Sequence, residues 1–146
     1  RRGGGGGGGV ALFVCGEIDC REGLPNALAK NKYKTMEAAV QATCSVYISG
    51  LERVSKQHDM TFLVLSICPP CNPQYSTRVQ ATRLFNKALK EALGHRFIDI
   101  ATEIVTPIGV VKSEYACDGT HLGGGAIPLI EAGLNSALQK TGLSIA

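Results

Sequence analysis

Three short apolar runs, set apart by long stretches of helical period, constrain this chain more than any other feature. Val10 to Cys15 (VALFVC) and Thr61 to Ile67 (TFLVLSI) are apolar without alternation, and Phe97 to Ile100 (FIDI) is a shorter run of the same kind. Runs of this length and continuity predict strands covered on both faces, as in a parallel sheet. From about Thr35 to Lys56 the apolar residues fall at Met36, Ala39, Val40, Val46, Tyr47, Leu51 and Val54, one face of a helix. Thr77 to Leu93 repeats the pattern with Ala81, Leu84, Phe85, Ala88, Leu89 and Ala92 inward, and Gly94 supplies its stop. A last helix over 125–139 would bury Ile127, Ile130, Leu134, Ala137 and Leu138, with Pro128 tolerated in the first turn. Strand, helix, strand, helix, strand, loop, helix predicts an α/β fold with a parallel sheet and right-handed crossovers.

The chain has 146 residues, 45% of them hydrophobic, which suits one domain over residues 10–146 with its own core. Residues 1–9 (RRGGGGGGG) bury nothing and read as a flexible, low-complexity Arg/Gly segment. A net charge of +3 is too small to argue for a nucleic-acid partner. Residues 26–96 hold ten Lys/Arg against four Asp/Glu, which reads as solvated helix faces because no aromatic or RNA-binding signature accompanies them. No apolar run approaches the roughly 18 residues of a membrane span. No signal-peptide pattern is visible, so six mostly reduced cysteines in an intracellular chain are expected.

In open parallel sheets the ligand crevice lies beyond the carboxyl ends of the strands. The first strand delivers CGEIDCR to that rim, the second CPPCN, and the loop after the third carries DGTH. His121 is the natural general base of this set, and Asp118, three residues earlier, is placed to orient its imidazole. The competing reading is an Asp that caps a turn beside a half-buried His. Arg21 would face an anionic substrate group or pair locally with Glu17, Asp19 or Glu22. Ser66, Ser113, Cys15, Cys68 and Cys117 are the internal candidates for a nucleophile. Cys15, Cys20, Cys68 and Cys71 form a possible zinc set, and Cys68–Cys71 a possible redox dithiol.

The ordered set of motifs resembles the SGNH (GDSL-type) hydrolases. DGTHL before a C-terminal helix is similar to their last block, whose D-x-x-H supplies the acid and base of a Ser-His-Asp triad. VALFVCGEIDCR resembles the block at the end of their third strand, FLVLSICPP their fourth strand, and RLFNKALKEAL…RFIDI the following helix and fifth strand. The resemblance covers roughly residues 10 to 140. It implies a flavodoxin-like three-layer sandwich with a parallel sheet, hydrolysis of a small-molecule or carbohydrate ester, and no cofactor. It also implies His121 as base, Asp118 as its partner, and Gly16 as a backbone donor to the oxyanion. Two departures stand out. Ile18 occupies the place of an oxyanion-hole asparagine, and the loss of one such donor costs on the order of 10²–10³ in rate. No G-D-S block occurs in the chain, so the first strands and the nucleophilic serine would have to come from outside it, and the chain reads as the C-terminal part of a longer hydrolase. A binding domain of the same fold without catalysis is the alternative.

Overall fold

A computed structural model describes residues 9–142. The Arg/Gly stretch therefore lies outside the described residues except for Gly9, which opens the first strand. Strand β1 (Gly9–Phe13) leads through one π-helical turn, Asp19–Gly23, into a short helix α1 (Leu24–Ala29). Helix α2 (Met36–His58), strand β2 (Met60–Leu65), helix α3 (Ser76–Leu93) and strand β3 (Phe97–Ile98) follow. A single helical turn α4 (Ala101–Ile104) precedes a looped segment, and helix α5 (Ile127–Thr141) ends the described chain.

The three strands form one parallel sheet in the order β1-β2-β3. Gly9 to Phe13 pair with Met60 to Val64, and Val64 and Leu65 pair with Phe97 and Ile98. Side chains on a strand alternate between faces. Phe62 and Val64 therefore join Ala39, Val40, Leu51, Phe85 and Leu89 of α2 and α3 in one core. Leu63 and Leu65 join Ile98, Ile100, Ala137 and Leu138 in a second core under α5. Both faces of β2 are covered by helices, which is why TFLVLSI carries no polar alternation.

Local signals place the long helices. Thr35 is extended and its Oγ1 accepts from Ala38 N at 3.2 Å, satisfying one free donor at the start of α2. Asp59 ends that helix in the left-handed region, and Gly94 follows α3. Pro128 falls in the first turn of α5, where no backbone donor is lost.

The structure corrects the expected burial at β1 and at three helix positions. β1 is not covered on both faces: Val10 is exposed, as is Val14 just past the strand's end. Val46, midway along α2, lies on the predicted inward stripe yet is 75% exposed. Ala92 and Ile127 are also solvent-facing. The π-turn, α1 and α4 fall where no helix was expected, since each is too short to show a periodic pattern. β3 stops at Ile98 rather than Ile100. No helix among the described residues is long and apolar enough to cross a membrane.

Candidate functional site

The carboxyl ends of β1 and β2 open on a cleft of about 440 Å³. Its walls come from Leu12, Val14, Cys15 and Glu17 at and past the end of β1, from Leu65 to Cys68 at and past the end of β2, from Thr120 to Leu122, and from Ile130 on α5. The three segments expected at one rim thus share a single concavity, and His121 is on its wall.

The turn that holds His121 is built by Asp118. One carboxylate oxygen, Oδ1, accepts from the backbone N–H groups of Thr120 and His121, each at 2.7 Å. The other, Oδ2, meets His121 Nδ1 at 2.7 Å. Gly119 and Thr120 let the chain double back so that Cys117 N donates to His121 O at 2.9 Å, and Ala116 bridges Leu122 antiparallel. The glycines that follow permit this closure. A Cβ on Gly125 would lie 2.8 Å from the carbonyl oxygen of Glu114, so a side chain there would push the loop apart. The His121 hydrogen bond and the two backbone donors hold the Asp118 carboxyl down to about 2, against an ordinary value of 3.8. With Nδ1 facing a carboxylate, the proton of neutral imidazole sits on Nδ1 and the lone pair on Nε2, the arrangement of a general base.

The second strand's exit is fastened from two sides. Ser66 Oγ accepts from Ile100 N at 3.1 Å and Ala101 N at 3.0 Å. Asn86 on α3 brackets Ile67, taking its N–H at 2.7 Å and donating to its carbonyl at 2.8 Å. Ser66 lines the cleft, but its oxygen is occupied as a structural acceptor and is hydrogen-bonded to no base among the described residues.

Gly16 has a positive φ of 109°, and a Cβ there would meet Ile67 Cδ1 at 2.7 Å. It is buried, its chain neighbours Cys15 and Glu17 line the cleft, and its carbonyl accepts from Cys20 N at 3.0 Å just before the π-turn. Glu17 marks the floor. Its Oε1 lies 2.8 Å from Nη2 of Arg78, a guanidinium only 6% exposed. The pair is close but too poorly aligned for a hydrogen bond, and Arg78 Nε and Nη2 have no hydrogen-bond partner among the described residues. The sequence reading missed this pair, although a signal was there: Arg78 lies on the same stripe of α3 as Ala81, Thr82 and Phe85, where a charge needs a partner.

Arg21 is engaged by its own neighbours, with Nε 3.1 Å from Glu22 and Nη1 3.4 Å from Glu17, and it is not on the cleft wall. Ser113 is exposed on the turn Ser113–Tyr115, away from the cleft. Cys117 is exposed beside the Asp118 turn.

The thiol readings separate. Cys15 and Cys68 line the cleft, whereas Cys20 is fully buried, with burial pushing its thiol up to about 12. Among the described residues no three of His, Cys, Asp and Glu converge where they would hold a metal ion, so the alternative zinc set of Cys15, Cys20, Cys68 and Cys71 is not assembled. Burial also pushes the Cys68 thiol up to about 11, the reverse of what a redox dithiol or nucleophile needs at neutral pH. Cys15 Sγ lies 2.7 Å from Tyr47 OH.

No protein-family model and no curated protein matches this chain.

Proposed function

We propose that this chain is the part of an SGNH-type acyl-ester hydrolase that carries the acid–base pair, in a flavodoxin-like three-layer sandwich whose remaining strands and nucleophilic serine lie outside it. The observation that carries this reading is the 2.7 Å contact between Asp118 Oδ2 and His121 Nδ1, made on the wall of a cleft at the strand tips. His121 Nε2 would take the proton of the attacking serine and return it to the leaving alcohol, while Asp118 holds the ring and stabilises the imidazolium. Leu12, Leu65 and Ile130 give the cleft apolar walls suited to the acyl or alcohol part of an ester. Gly16, buried between two cleft residues, would lend its backbone N–H to the oxyanion. Two internal candidates on the cleft wall are disfavoured: Ser66 Oγ is taken up by the backbone N–H groups of Ile100 and Ala101, and burial holds Cys68 as a thiol.

The test is expression of the reading frame extended upstream of Arg1, alongside the 146-residue chain. The extended protein is expected to hydrolyse p-nitrophenyl acetate, to react with a fluorophosphonate at one serine, and to lose at least roughly 10³-fold in rate with His121→Ala. The shorter chain is expected to do neither. His121-dependent turnover by the shorter chain would move the nucleophile inside it. An extended protein indifferent to His121→Ala would leave the alternative, a binding domain without catalysis.

A further inference from the structure

A second cleft of about 390 Å³ runs between α3 and the segment 99–109. It shares no residue with the His121 cleft, although Pro69 on its wall follows Cys68 on the wall of the other. Its walls are largely apolar, with Pro69, Val79, Ala101, Val105 and Pro107 contributing. The far wall is fastened in place: Thr106 N and Oγ1 both donate to Val110 O, and Val105 bridges Val111.

The polar groups of this cleft are satisfied with two exceptions. Asn86 is taken at both ends by Ile67. Asp99 is quenched by Lys90 Nζ at 2.7 Å and by Thr102 N and Oγ1 at 3.2 and 2.9 Å. Arg83 makes no ion pair among the described residues. Lys87 reaches only Glu91, at 3.9 Å between side chains 71% and 67% exposed, a contact at the outer limit for an ion pair. Residues 83, 87 and 90 lie in one row of α3 along the rim. The cleft thus offers an apolar interior that costs little to desolvate and a rim with unneutralised positive charge.

We infer that this cleft binds a monocarboxylate with an apolar chain, the chain lying between Val79 and Val105 and the carboxylate meeting the guanidinium of Arg83. A planar guanidinium matches a carboxylate with two parallel hydrogen bonds, which a neutral or cationic head group cannot reproduce. Arg83 and Lys87, two of the solvated basic residues of the 26–96 stretch, would have a local use here.

The experiment is amide chemical-shift mapping with octanoate, octan-1-ol and octylammonium, each kept below its micelle concentration. Octanoate is expected to shift the amides of Val79, Ala101, Val105 and Gly109 and to bind at least about threefold more tightly than octan-1-ol. That margin should shrink as salt is raised from about 10 mM to about 0.5 M. Arg83→Gln, an exposed change that leaves the core intact, should erase the margin while octan-1-ol binding persists. Equal affinity for acid and alcohol, tightest binding of octylammonium, shifts centred on Leu12 and Leu122, no shift at all, or an unaltered margin in Arg83→Gln would each overturn the inference.

Discussion

Asp118 organises the candidate site at the scale of single residues. Its two oxygens fold the turn and hold the ring of His121, so one carboxylate decides both backbone and side-chain geometry. Its pH dependence follows from the sign of its displacement. The carboxyl sits at about 2 in the folded chain against 3.8 ordinarily, so its support for the turn is complete above about pH 4 and is lost as pH falls through about 2. The backbone amide shifts of Thr120 and His121 should therefore titrate with a midpoint near 2 rather than 3.8. Glu17 is a second case. Glu17→Gln removes the one ion-pair partner that Arg78 has among the described residues and leaves its buried guanidinium without that counter-charge. Because Glu17 is itself about a third exposed, the expected loss is about 2 kcal/mol rather than the full cost of breaking a buried pair, read from urea unfolding. The Asp118/His121 pairing was legible in sequence because both partners lie within one turn. The Glu17–Arg78 pairing was not, because it joins residues of separate elements.

At the scale of elements, the cleft depends on how the strand exits are tied. Asn86 is the clearest example, since one side chain on α3 satisfies both backbone groups of Ile67 just past the end of β2. Asn86→Ala should cost about 2 kcal/mol or more in unfolding free energy, because two partly buried backbone groups lose their partner together. It should also broaden the amide signals of Ser66 and Cys68 on the cleft wall. The long helices α2, α3 and α5 were readable from their period, with Gly94 and Pro128 as end signals. The short elements were not. A π-turn of five residues or a single turn such as α4 contains too few positions to display a face, and it forms because its neighbours hold it there.

For the whole molecule, the decisive fact is the open side of the sheet. β1 pairs with β2 on one side and with no strand among the described residues on the other. Val10 and Val14 lie exposed along it, with Ile18 beyond, and neither a charge nor a proline within the strand protects the edge. The isolated chain is expected to self-associate through this edge, and Val14→Lys should reduce that association without lowering stability, as sedimentation velocity across a concentration series would show. The sequence by itself determined the class of the fold, the parallel sense of the sheet, the three long helices and the Asp118–His121 pair. Each of these is written in local periodicity or short spacing, which a linear chain carries without knowing its neighbours. Only the tertiary structure decided that the VALFVC segment leaves Val10 and Val14 exposed, that Arg78 shelters beside Glu17, and that two separate clefts flank the exit of β2. Those outcomes depend on which surfaces find a partner across the fold, and burial is a property of the assembled neighbours rather than of any one segment.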